Sequence, residues 1–98
     1  MSTRFQLIEK LAEAVAGMVE LYADFSKTFG ESALLLIQPA TQEVNIAREG
    51  EYFPDDGVQV TRFVYKGHDG DLCVDYDEIW EFARGQIGQQ YPELSLAS

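Results

Sequence analysis

The sequence predicts an α+β domain in the order α-β-β-β-β-α, an antiparallel sheet with a long N-terminal helix and a C-terminal helix packed on it. Three observations carry that expectation. Apolar residues recur at helical spacing from Ile8 to Phe29, short aliphatic stretches broken by turn residues fill the middle of the chain, and a second helical pattern follows Asp75. At 98 residues the chain fits one domain rather than two, with residues 1–92 forming it and 93–98 reading as a flexible tail.

The first helix is expected over residues 3–29. Thr3 and Gln6 have the spacing of a capping box, in which two side chains satisfy the free N–H groups of the first turn. Ile8, Leu11, Val15, Met18, Tyr22, Phe25 and Phe29 then follow at alternating steps of three and four, with Leu7, Ala12, Val19 and Leu21 widening the stripe. Gln6, Glu9, Glu13, Glu20, Asp24 and Lys27 fall on the opposite side. Gly30 is placed to end the helix in a left-handed cap. The small stretch Ala12, Ala14, Ala16, Gly17 would let another backbone approach. The apolar run admits two readings: a helix laid across its own sheet, or a seam for self-association through Ile8, Leu11, Val15, Met18, Tyr22 and Phe25.

Residues 32–38 read as a strand covered on both faces, because their apolar residues are continuous. A turn over residues 39–42 leads to an alternating strand over 43–48, with Val44 and Ile46 inward and Glu43 and Asn45 outward. Residues 49–57 read as a loop with four acids around Tyr52 and Phe53. One continuous strand is expected over 58–66, although neither of its faces is purely polar. Gly67-His68-Asp69-Gly70 has the composition of a tight turn, and a fourth strand follows over 71–75. A second helix is expected to start near Asp75 or Asp77, with Asp75 and Glu78 spaced as another capping box, and its apolar side is Ile79, Trp80, Phe82, Ala83 and Ile87. Gly85 and Gly88 weaken its end and Pro92 stops it.

Charge is the strongest functional signal. Seventeen Asp and Glu face seven Lys and Arg, for a net charge of −10. Residues 49–81 hold ten of those acids and two bases, Arg62 and Lys66. Six Phe, five Tyr and a Trp argue against an acidic disordered chain. Direct nucleic-acid binding is disfavoured by repulsion of phosphates. The longest apolar run, Ala33 to Ile37, is far short of a membrane span, and the first residues lack the apolar core of a secretory leader. With Cys73 as the only cysteine there is no intrachain disulfide, and a cytoplasmic location is expected.

Catalytic chemistry finds little footing. Read as a calcium loop from Asp69, the chain gives Asp at positions 1, 3, 7 and 9, but Cys73, Val74 and Trp80 stand at 5, 6 and 12, where a ligand, the glycine and the closing carboxylate belong. A Cys73–His68 nucleophile is opposed by neighbouring carboxylates, which raise a thiol pKa. No phosphate loop, nucleophile elbow or histidine pair is present. No enzymatic activity and no cofactor are expected.

The expectation is therefore a small acidic protein-binding module. It would mask a basic, nucleic-acid-binding surface of a partner such as a nuclease, by the logic of nucleic-acid mimics, anti-CRISPR inhibitors and immunity proteins. Its protein-binding residues would be Glu49, Glu51, Tyr52, Phe53, Asp55, Asp56, Asp69, Asp71, Asp75, Asp77, Glu78 and Glu81. Tyr52 and Phe53 are the candidate aromatic anchors, while Phe63, Trp80 and Phe82 are expected in the core. Tyr65, Tyr76 and Tyr91 also lie near the acidic half. Two other readings stand beside this one: a homodimeric adaptor or secretion-chaperone-like protein, and a carboxylate-based divalent-metal-binding protein.

Overall fold

A computed structural model describes residues 3–30, 33–38, 41–48 and 57–91. Helix α1 (Arg4–Asp24) begins at the anticipated capping box. The Gln6 N–H donates to Thr3 Oγ1 over 3.1 Å, and the Thr3 N–H donates to Gln6 Oε1 over 3.0 Å. Ile8, Leu11, Val15, Val19 and Tyr22 are buried, and Gln6, Glu9, Glu13, Glu20 and Asp24 are exposed. The apolar seam therefore faces the chain's own core. Of the six residues considered for self-association, Ile8, Leu11, Val15 and Tyr22 are core and Met18 packs against them, leaving only Phe25 substantially exposed.

The helix is not continuous to residue 29. Phe25 leaves helical geometry at φ −127°, ψ 37°, and its N–H is shared between the carbonyls of Leu21 and Tyr22 at 3.0 and 3.2 Å. A single further turn, α2 (Ser26–Phe29), carries Phe29 back towards Tyr22, ring centroids 6.4 Å apart. The kink thus exchanges Phe25, 55% exposed, for a half-buried Phe29. Gly30 ends α2 at φ 81° as expected, but with extended ψ rather than a full left-handed cap.

Strands β1 (Leu34–Gln38), β2 (Glu43–Ala47) and β3 (Val58–Gln59) form an antiparallel sheet with β1 in the centre. Leu35 pairs with Ile46 and Val58, and Ile37 with Val44. Because residues directly opposite share a face, these five form one inward layer, as the alternation in β2 anticipates. The other face is only partly covered: Leu34 and Ala47 are buried, whereas Leu36 is half-buried. Gly57 lies so close to Leu34 that a Cβ there would stand 2.8 Å from Leu34 Cδ1. At the β1–β2 turn Gln42 takes φ 53° and is buried.

The expected strand over 58–66 is divided. A 3₁₀ turn (Val60–Phe63) separates β3 from β4 (Val64–Lys66), and β4 pairs with β5 (Leu72–Val74) in a second, two-stranded sheet. A strand would send Val60 and Phe63 to opposite faces. A turn with three residues per revolution puts both on one side, and both are completely buried. The ambiguity of two half-apolar faces is thus resolved by a change of period. Backbone bonds hold the turn at either end: the Val60 N–H donates to the Ala33 carbonyl at 3.2 Å, and the Asp75 N–H to the Phe63 carbonyl at 2.8 Å.

Helix α3 (Tyr76–Gln90) buries Ile79, Phe82, Ala83 and Ile87. Trp80 is only half-buried, short of the core position expected for it, and rests against Phe5 with centroids 5.6 Å apart. The helix passes through both Gly85 and Gly88 and stops just before Tyr91, the pre-proline residue. Its start lies beside the last turns of α1 and its end beside Arg4, so the two helices run in opposite senses. Their shared core takes in Leu35, Val60 and the Phe63–Phe82 edge-on pair, centroids 5.3 Å apart. Gly17 admits no close neighbour, contrary to the expected backbone approach at that stretch. Among the described residues no helix is long and apolar enough to cross a membrane.

Candidate functional site

The described part of the acidic region is built from the β4–β5 hairpin and the first half of α3. Asp69 and Asp71 sit in the hairpin turn, which closes through the Gly67 N–H to the Asp71 carbonyl at 2.8 Å and the Gly70 N–H to the Gly67 carbonyl at 3.1 Å. Gly70 supplies the φ of 81° the turn requires. Both carboxylates are exposed. Three residues of β5 then lead to Asp75, whose side chain accepts from the Glu78 N–H at 3.1 Å and caps α3. Asp77 and Glu81 are exposed on the helix.

Two of these acids are offset by bases. Glu78 does not reach back to complete a capping box; its Oε1 accepts from Arg62 Nε at 3.0 Å. The same guanidinium lies over the rings of Phe63 and Phe82, 5.6 and 5.2 Å from their centroids. Arg62 thus lids the aromatic pair at the helix start. Glu81 meets Arg84 at 4.0 Å, with both side chains more than half exposed. Asp69, Asp71 and Asp77 take part in no ion pair among the described residues.

A contact that sequence spacing did not suggest connects this region to α1. The Tyr76 hydroxyl donates to Glu20 Oε1 over 2.5 Å. That bond brings Glu20, one carboxylate of the exposed side of α1, to the start of α3, where Asp77 and Glu78 lie in the first turn. The hydrogen bond to Glu20, then desolvation, then the nearby negative charge raise the phenol's pKa above its ordinary 10.0. Tyr76 is 57% exposed, so the ring and the carboxylates around it stand on open surface.

Glu49, Glu51, Tyr52, Phe53, Asp55 and Asp56 lie outside the described residues. Asp69, Asp71, Asp75, Asp77, Glu78 and Glu81 are all described, along one hairpin and the helix that follows it. No three His, Cys, Asp or Glu among the described residues converge to hold a metal ion. His68 is exposed in the hairpin turn, and the Cys73 thiol is directed at the Asp71 carbonyl, 3.9 Å away, rather than at the imidazole. The sequence reading missed the contacts that Glu20 and Arg62 make here. Their partners lie 56 and 16 residues away in the chain, beyond any local spacing rule.

No protein-family model, curated protein or solved structure matches this chain.

Proposed function

We infer that this chain is a small acidic protein-binding module that masks a basic, nucleic-acid-binding surface on a partner protein, acting by occupancy rather than by catalysis. The observation that supports the reading is the Tyr76–Glu20 bond, which links a carboxylate of α1 to the acid-bearing start of α3. Carboxylates held on a folded scaffold lose less freedom on binding than those of a flexible chain. The unpaired Asp69, Asp71 and Asp77 are available to replace the phosphates a basic groove otherwise contacts. Such a field steers association and makes it sensitive to salt.

The test is affinity capture of partners at low and at high salt, using the native chain and a variant with Asp69, Asp71 and Asp77 changed to Lys. Asp75 is left intact because it caps α3, and its loss would cost about 1 kcal/mol of stability on its own. The native chain is expected to retain a basic nuclease or nucleic-acid-binding protein at low salt and release it as salt rises. The variant is expected to retain none while keeping its circular dichroism. Undiminished capture by the folded variant would reduce the acids to a solubilising surface.

A further inference from the structure

Among the described strands β2 lies at the rim of the three-stranded sheet and pairs with β1 alone. The phase of the hydrogen bonds fixes which of its backbone groups point outward. The Val60 N–H donates to the Ala33 carbonyl, so Ala33, Leu35 and Ile37 direct their backbone groups towards β3, and Leu34, Leu36 and Gln38 direct theirs towards β2. The hydrogen-bonded pairs of β1 with β2 are then Leu34–Ala47, Leu36–Asn45 and Gln38–Glu43. Val44 and Ile46 turn their N–H and carbonyl groups away from β1, and neither makes a hydrogen bond elsewhere among the described residues. Their side chains belong to the inward layer, yet both stay half-buried, whereas Leu35 in the central strand is fully buried. Edge strands are commonly guarded by brevity, lysine, proline or a bulge. β2 has five residues in unbroken register with β1 and contains neither lysine nor proline.

We propose that β2 pairs antiparallel with β2 of a second copy of this chain, joining the two three-stranded sheets across a two-fold axis at Asn45. Centring on Asn45 sets Val44 of one protomer opposite Ile46 of the other, and the reverse. Those are the residues with outward backbone groups, so each pair exchanges two hydrogen bonds. The same register gives the half-buried Val44 and Ile46 apolar neighbours on the inward face. A slip by one residue would set inward side chains against outward ones. The net charge of −10 opposes self-association, but least at this edge. Residues 32–48 hold one acid and one base, Glu43 and Arg48, whereas residues 49–81 hold ten acids and two bases. Glu43 falls opposite Ala47 in the pairing, so like charges do not face each other. None of the carboxylates of the acidic surface takes part, so a dimer would present that surface twice. The contact is also distinct from the apolar seam of α1, which faces the core.

A pairing of five residues falls short of the roughly 1,200 Å² that a stable interface buries, so the dimer is weak and the test traps it. In a Cys73→Ser background, Asn45→Cys and Glu43→Cys each place one thiol at an exposed position of β2. The two Asn45 positions meet on the axis with Cα atoms about 4.5 Å apart, within disulfide reach. The two Glu43 positions are offset by roughly 13 Å along the strands, beyond that reach. Mild oxidation is expected to give covalent dimer with Asn45→Cys and at least about fivefold less with Glu43→Cys, with circular dichroism showing both variants folded. In sedimentation equilibrium the native chain is expected to rise from 11.0 kDa towards twice that mass between about 0.01 and about 1 mM. Asn45→Lys should lower the mass reached, by setting like charges opposite each other on the axis. The proposal is overturned by equal trapping of the two cysteine variants, by trapping of neither, or by a mass rise that Asn45→Lys leaves unchanged. A native mass that stays at 11.0 kDa would leave the edge to a strand of another protein and overturn it too.

Discussion

Three helical glycines carry different consequences for the same substitution. A Cβ at Gly17 or Gly85 would meet nothing within 4 Å, and both positions are exposed. Gly17→Ala and Gly85→Ala are therefore each expected to raise stability in urea denaturation by up to about 1 kcal/mol, the difference in helix propensity. Gly88→Ala has the same propensity gain but must push the Arg4 guanidinium off the helix, so it should fall short of the other two. A Gly88 gain equal to that of Gly17 would show that Arg4 is not held there. Tyr76 gives a prediction in pH. Its folded pKa lies above the unfolded value of 10.0, so the neutral phenol is the form that folding favours. Its contribution to stability is complete below pH 10.0 and is lost as pH rises through the higher folded value. Near-ultraviolet titration should show one tyrosine ionising late, and Tyr76→Phe should remove that step. In Glu20→Gln the phenol should ionise earlier.

Among the elements, the 3₁₀ turn is the position from which the rest of the fold is aimed. It buries Val60 and Phe63 together, redirects the chain from the first sheet to the second, and presents Arg62 to Glu78 at the start of α3. Phe63→Ala should cost about 3–5 kcal/mol in chemical denaturation, because a fully buried ring is replaced by a cavity. A double-mutant cycle on Arg62 and Glu78 should give only about 0.2–1 kcal/mol, since both side chains are more than a third exposed, and the coupling should shrink with salt. The turn is also where sequence reading stopped working. The Thr3–Gln6 capping box, the Asp75 cap, the α1 stripe, the β1–β2 hairpin and the Gly67–Gly70 turn depend on neighbours within a few residues, and all were legible; the second capping box was not completed, because Glu78 turns to Arg62. The division of residues 58–66 depends on a core supplied by α1 and α3, so local pattern suggested one strand. The kink at Phe25 has the same origin: the helical spacing continues to Phe29, while the packing of Phe29 on Tyr22 is tertiary.

Across the whole molecule, charge sets both the stability and the surface. A net charge of −10 on a chain of 98 residues repels itself in the folded state. Raising salt from about 0.01 M to about 0.15 M shortens the screening length from about 30 Å to about 8 Å, and the midpoint of thermal unfolding is expected to rise. A fall would mean that attractive pairs such as Arg62–Glu78 outweigh the repulsion. The excess of acid was legible from composition, but the engagements of individual carboxylates were not. Composition could not tell that Glu78 is held by Arg62, that Asp75 is committed to capping, or that Glu20 joins from the other helix. The antiparallel contact of α1 with α3 brings together two segments made at widely separated moments of synthesis. A ribosome releases α1 first, and α3 emerges only after both sheets. Until then Ile8, Leu11 and Val15 lack one of the walls that enclose them, so the nascent polypeptide carries a greasy stripe past the synthesis of both sheets and can seal it only once α3 has emerged.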